Sequence, residues 1–258
     1  MGLLDYPAPL FQFVDGLLGF LPPFLRLTLW SAVAGMLSML LYGFVSPQKR
    51  IAQVKVQLRE AQRALAASDE SFADLLGEVG KTLGLSFKHL GLVFGPALVS
   101  ALPLICIIAW ASTQFGHKFP QPGAQSVTVS VEPAGMAGEL HWRTPADGEP
   151  GRDDSAWELA WPADPRQLTL VEADAGALLD IPPPAAIPVI HKRQWWNSLL
   201  GNPAGYLPPQ SSVEVVNIEL PPQRFIPFGP DWVASWLTLF LVVSVVGALA
   251  TKRAFRIH

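Results

Sequence analysis

Arg26, Lys88 and His89 are ionisable side chains that fall inside or at the edge of long apolar runs, and Ser31 and Ser100 are hydroxyls within those runs. Such groups at membrane depth mark polar routes through hydrocarbon, because a charge at the bilayer centre costs about 3 kcal/mol on insertion scales. Arg26 stands near the start of its run, which leaves two readings: the side chain snorkels to outer headgroups, or it faces a wet cavity between helices and meets acidic or polar groups there. Lys88 and His89 stand at the entrance to the second run, either as headgroup contacts or as a polar mouth. Covalent chemistry has no support. The chain carries no G-x-S-x-G, P-loop, H-E-x-x-H or Cys/His zinc spacing, and its histidines are scattered singly. Asp147, Glu149, Asp153 and Asp154 form an acidic loop that reads as a solvated turn, since the spacing matches no calcium cage. No enzymatic activity, metal or cofactor is expected.

The elements that must position these groups are membrane spans. Of 258 residues, 50% are hydrophobic and 15% charged, against about 25% charged in an average soluble domain. The excess is concentrated in Phe24 to Val45, Leu90 to Ser112 and Trp232 to Ala250, each close to the ~20 residues needed to cross a hydrocarbon core. An integral membrane protein follows, with the lipid bilayer as its first partner. The net charge of -3 gives no concentrated basic face, so sequence-specific nucleic-acid binding is not expected. Cys106 is the single cysteine and excludes an internal disulfide. No basic residue precedes Arg26 except the amino terminus, so the first run lacks a signal-peptide n-region and is expected to stay in the mature protein.

Lys49, Arg50, Lys55, Arg59, Arg63, Lys81 and Lys88 lie between the first two runs, and Lys252, Arg253 and Arg256 follow the third. By the positive-inside rule, segments 46–89 and 252–258 are cytoplasmic, while 1–23 and 113–230 lie outside. The spans are then 24–45, 90–112 and 231–251. A bacterial inner membrane is the expected location.

Before the first span, Leu10, Phe11, Val14, Leu17 and Leu18 recur at helical spacing, which suits a short helix in the outer interface, or else a frayed apolar tail. Ser31 and Gly35 are four apart, as are Gly91 and Gly95, and small residues at that interval let helices approach. Pro96 and Pro103 each remove a backbone donor from the second span and are expected to bend it. After Pro47, the residues Ile51, Val54, Leu58, Ala61 and Leu65 alternate in threes and fours among Gln, Lys, Arg and Glu, the pattern of a short coiled-coil seam. Ser68, Asp69 and Glu70 then supply a cap and early acids for a second helix carrying Phe72, Leu75, Leu76 and Val79. A helical hairpin is favoured over a parallel homodimer, because the seam is short for independent stability.

A QKR start to a polar coiled coil, a proline-containing second span ending PLICIIAW, an outside N-terminus and an inward-returning third span together resemble the YidC/Oxa-type insertase superfamily, in its reduced three-span branch. The resemblance covers residues 1 to about 118 and 222 to 258. It implies a membrane-protein insertase or intramembrane chaperone with a lipid-open polar groove, nascent or client membrane proteins as partners, and Arg26 in the place of a basic residue that faces the groove in the bacterial branch. The third span offers Ser235, Thr238 and Ser244 as polar lining.

The stretch from 113 to 230 exceeds what that branch carries. Short alternating runs, VTVSV, ELHW, WELAW, QLTLV and VEVVNIEL, separated by Gly, Pro and Asp, predict a small antiparallel β-sandwich or barrel. Trp142, Trp157 and Trp161 would fill its core or edge, or form an aromatic platform for a ligand. IPPPAAIPVI reads as a stiff extended linker. A short helix near 192–200 follows, ended by Gly201, whose Trp195 and Trp196 would pack on the sandwich or enter the outer interface. Asp231, after Pro230, would cap the third span. The expected fold class is therefore three transmembrane helices with a cytoplasmic coiled-coil hairpin and an extracytoplasmic all-β domain. The size of that domain supports a second expectation, a non-catalytic scaffold subunit of a larger membrane complex whose β-domain binds a protein or envelope partner.

Overall fold

The structure is a computed structural model that describes residues 2–67, 72–123, 126–143, 151–153, 156–162, 168–173 and 176–257, with backbone alone at Ala67, 72–75 and 151–153. The cap residues Ser68, Asp69 and Glu70 and the loop acids Asp147, Glu149 and Asp154 lie outside the described residues, as do the side chains of Phe72, Leu75 and Asp153. The helices are α1 (Ala8–Leu17), α2 (Pro23–Val45), α3 (Gln48–Ala67), α4 (Phe72–Phe115), α5 (Asp231–Ala234) and α6 (Trp236–Ala254). Three of these elements, α2, α4 and α6, are long and apolar enough to cross a membrane. The chain divides into two compact units, Met1–Leu27 with Cys106–Leu239, and Thr28–Ile105 with Phe240–His258.

The polar arm and the second apolar run are one helix, of which all but the end from Cys106 on belongs to the second unit. The 44 residues of α4 continue through Pro96 and Pro103 without a break, and at 1.5 Å per residue they extend about 66 Å, twice the ~30 Å of a hydrocarbon core. Pro47 ends α2, since the residue before a proline is pushed out of the helical region, and α3 starts at once. On α3, Ile51, Val54 and Ala61 are buried, Leu58 and Leu65 are half-buried, and Val56 between them is 54% exposed. Half-buried positions of α4 recur at Glu78, Thr82, Leu85 and His89, one helical face. Gln57, Glu60, Ala61 and Ala64 of α3 share a cavity of about 470 Å³ with Lys81 and Leu85 of α4. The two arms therefore face each other within one chain.

The third apolar helix begins five residues later than expected, at Trp236 instead of Asp231. Ser235 is extended (φ -69°, ψ 154°) and separates it from α5. The Ser235 hydroxyl accepts from the Thr238 amide, which makes Ser235 the N-cap. Asp231 caps nothing and instead accepts from the Arg224 guanidinium at 2.9 Å.

In the other unit, eight strands among the described residues form two antiparallel sheets: β1 (Ser126–Glu132), β2 (Leu140–Arg143), β3 (Gly151–Asp153), β4 (Ala156–Ala160), β5 (Leu168–Glu172), β6 (Gly176–Ile181), β7 (Val189–His191) and β8 (Val215–Ile218). The sheets have the orders β3-β4-β1-β8-β7 and β2-β5-β6. Val127, Val129 and Val131 of β1 all point to one side, where Val129 lies opposite Trp157 on one flank and Ile218 on the other. Residues of both sheets share a single apolar core that includes Trp142, Trp157 and Trp161. Trp142 and Trp157 meet edge to face at 5.8 Å, and Trp161 stacks on Phe119 at 5.5 Å, so these rings are interior packing and offer no surface platform. The stretch read as a linker gives its first residue to β6 and Val189 and Ile190 to β7. The helix expected near 192–200 is a single 3₁₀ turn, Trp195–Ser198. Its form is set by buried Asn197, which accepts from the Gln194 amide at 2.7 Å and donates to the Leu200 carbonyl at 3.1 Å.

Glu172, at the end of β5, is 3% exposed and accepts from the Ser212 amide at 2.9 Å. Burial pushes its pKa up, but the Ser211 hydroxyl, the Ser212 amide and hydroxyl and the Lys192 charge together outweigh burial, and the carboxyl titrates below its ordinary value. A depressed carboxyl contributes stability that is fully present above the unfolded-state pKa and is lost as pH falls through the folded one. Thermal unfolding of the wild type, followed downward from pH 7, should therefore lose a component below about pH 4.3, the ordinary Glu value, that Glu172→Gln lacks. Parallel curves for the two proteins would refute this.

Candidate functional site

The apolar N-terminal stretch folds as α1 because its Phe11, Val14 and Leu18 can cover one side, and that side carries one acid, Asp15, which is 4% exposed. Pro22 and Pro23 follow, and proline at the first helical position starts α2 without wasting an N–H. Arg26 then falls in the first turn of α2. A cation there opposes the positive end of the helix dipole, and the protein answers it with Asp15. The Arg26 Nε donates to Asp15 Oδ1 at 3.0 Å, and the guanidinium and carboxylate are also in direct ion-pair contact through Nη2 and Oδ2. The Arg26 side chain keeps 22% of its exposure, that of Asp15 6%. Arg26 therefore meets an acid, as the second of its two readings expects, and that acid belongs to α1.

Aromatic rings surround this pair. The guanidinium lies 5.7 Å from the Phe115 ring centre, a cation–π distance. Phe11 meets Trp110 at 5.7 Å, Trp110 meets Phe115 at 6.0 Å, and Phe115 meets Phe225 at 6.1 Å, all edge to face. The chain of rings joins α1, the end of α4 and the strand-like segment around Phe225, whose amide donates to the Ala234 carbonyl. Beside it is a cavity of about 260 Å³ lined among others by Asp5, Gln12, Trp110, Thr113 and Asn202. Among the described residues no group of His, Cys, Asp and Glu side chains is placed to hold a metal.

Comparison with protein-family models, with curated proteins and with solved structures finds no match.

Ser31, Gly35, Lys88, His89, Gly91, Gly95, Pro96, Ser100 and Pro103 belong to the second unit, and Trp195 and Trp196 to the first. Ser31 is fully buried and Ser100 is 6% exposed. The Ser100 hydroxyl donates to the Ala97 carbonyl at 2.9 Å and that of Ser244 to the Leu241 carbonyl at 3.0 Å, so both hydroxyls satisfy themselves on their own helices. Lys88 is exposed, while His89 is half-buried on the face of α4 that turns toward α3. The small residues behave in two ways. A Cβ on Gly35 would strike the Ser244 backbone, and one on Gly247 would come within 3.0 Å of the Ala32 carbonyl, so α2 and α6 touch backbone to backbone. Around Gly91 and Gly95 nothing lies within 4 Å of such a Cβ. These two do not pack helices together in this chain; their faces are open, as are those of Leu90, Phe94, Leu98 and Leu102. Pro96 and Pro103 are half-buried.

Sequence reasoning missed Asp15, Phe115 and Phe225. The available signal was an isolated acid on the same helical face as Phe11 and Leu18, separated from an isolated Arg by a Pro-Pro break. Contact between the two still depends on the reversal at that break, which the residues alone do not specify.

Proposed function

We propose that this chain is a membrane-protein insertase or intramembrane chaperone of the YidC/Oxa type, with α3 and the first half of α4 as a cytoplasmic hairpin, and with residues 1–23 and the β-rich unit on the outer side of a bacterial inner membrane. The observation that carries the reading is the disposition of α4. One uninterrupted helix joins a basic hairpin to a span whose most apolar stretch is only 11% buried, against 28% for α2 and 17% for α6. α2 and α6 are zipped by glycine contacts, whereas the Gly91, Phe94, Gly95 and Leu98 side of α4 is open. A client segment held by the hairpin would be passed along that helix to an open flank, where its own apolar residues leave water. Lowering the desolvation cost of a client's polar flank is the whole of the catalysis, and no nucleotide is required. Lys88, at the end of the basic hairpin, would meet that flank first.

The second reading, a scaffold subunit of a larger complex, is favoured by the separate core of the β-rich unit, which insertion does not need. Photocrosslinkers placed in intact cells at Phe94 and Leu98, both exposed on α4, separate the two. Adducts with many short-lived, newly made membrane proteins are expected. Their yield should fall when Lys49, Arg50 and Lys55 are replaced by Glu, and should persist when residues 126–220 are deleted. A single long-lived adduct at both positions would overturn the insertase reading in favour of the scaffold.

A further inference from the structure

The helix α1 and the segments around it have a second apolar face. Leu3, Tyr6, Leu10, Phe13, Leu17 and Phe20 are between 62% and 86% exposed, and they recur in steps of three and four. On α1 this stripe lies about 100° round from the one that carries Phe11, Val14 and Leu18, and a helix end in water has no physical reason to keep six such side chains outside.

The stripe is joined to another exposed apolar set. The Leu4 amide donates to the Leu199 carbonyl at 2.9 Å, and Asp5 Oδ2 accepts from the Gly2 amide at 2.9 Å and the Gly201 amide at 2.5 Å. Only glycine fits at position 2, since a Cβ there would lie 2.5 Å from the Leu199 backbone. The N-terminal segment is thereby held against the 3₁₀ turn, which exposes Trp195 (81%), Trp196 (41%), Leu199 (48%) and Leu200 (39%).

We infer that these two sets form one seat on the phospholipid bilayer that the chain's own spans cross, with the Trp195–Ser198 turn at headgroup depth. Two observations choose lipid as the occupant. The first is continuity. Five residues separate Leu17 from the start of α2, a reach of at most about 20 Å, and Phe11 is packed on Trp110 at the far end of the α4 span. The stripe is therefore pinned to the ends of two spans. The second is charge. No acid occurs between Asp180 and Glu214, while Asp5 and Asp15 are both consumed by internal contacts. Lys192 is half-buried and its charge acts on Glu172, so exposed Arg193 is the charge left beside the tryptophans, which suits lipid phosphates, and tryptophan concentrates at that depth. The hydrogen-bonded N-terminal clamp joins the two exposed sets within one unit.

The test uses the full chain in nanodiscs containing anionic lipid, with Cys106→Ser and single nitroxide-labelled cysteines at Phe13, Ser198 and His141. Ser198→Cys leaves every apolar side chain of the seat in place, and His141 is exposed on β2. The ratio of oxygen to nickel-chelate accessibility should be several-fold higher at 13 and 198 than at 141, and at 198 it should fall when Arg193→Glu is added. A ratio at 198 equal to that at 141 would place the turn in water and overturn the seat. Protection of 13 and 198 from both reagents would also overturn it, because a protein, whether another copy or a partner, would then be the occupant.

Discussion

Asp15→Ala should destabilise the unit built from residues 1–27 and 106–239 by about 3 kcal/mol, the lower end of the range for removing one member of a buried ion pair. The lower end applies because Arg26 retains 22% side-chain exposure and some solvent screening. The cause is the arginine left behind: a cation in the first turn of a helix, facing Phe115, with its carboxylate gone. For a unit of this size the midpoint of thermal unfolding in detergent should fall by about 6–12 °C. Arg26→Met alone should cost at least as much, since it leaves the Asp15 carboxylate, whose side chain is only 6% exposed, without its counter-charge. The double variant Asp15→Ala/Arg26→Met should recover much of the loss, because neither charge remains to be solvated. A double-mutant cycle with no coupling energy would show that the pair is not what holds α1 against α2 and that the effect of Asp15→Ala came from packing alone.

Gly35→Val is expected to disrupt the contact between α2 and α6. The added Cβ meets the Ser244 backbone, which cannot rotate aside as a side chain would. Overpacking ordinarily costs 1–3 kcal/mol, and with backbone as the obstacle the cost should reach at least about 3 kcal/mol. Loss of the folded protein from membranes, or a collapse of its melting transition in detergent, is the expected result. Gly91→Val and Gly95→Val supply the control, for their Cβ positions meet nothing within 4 Å; each should change the stability of the isolated chain by no more than about 0.5 kcal/mol. Equal damage at all three positions would mean that valine harms these helices through backbone propensity and that the α2–α6 contact is not special.

Gly91 and Gly95 mark the limit of spacing arguments. The motif Gly-x-x-x-Gly says that a close approach is sterically allowed, and it is silent on whether a neighbour arrives. Ser31-x-x-x-Gly35 has the same form, and there the neighbour is α6. The same holds for Trp195 and Trp196, whose exposure depends on Asn197 turning its amide inward to close a 3₁₀ turn. β6 and β7 escaped notice because their residues, GALLDI and VIH, do not alternate cleanly. β6 carries a register shift opposite Leu170 and Val171, and a bulge erases the period of two on which strand recognition rests.

Composition and periodicity by themselves determined the three apolar helices, the seam of α3 and the placement of the tryptophans within β-forming runs, since each follows from local transfer free energies and from the geometry of a single helix or strand. Long-range pairing belonged to the tertiary structure alone. Arg26 required Asp15, eleven residues away across a reversal; the end of α4 required Phe11 and Phe225; the start of α6 required a break at Ser235 that the surrounding apolar run concealed. Each of these depends on where two distant segments are brought together, and the energy that decides it, a desolvated charge finding its counter-charge or a hydroxyl finding an amide, exists only after the chain has folded.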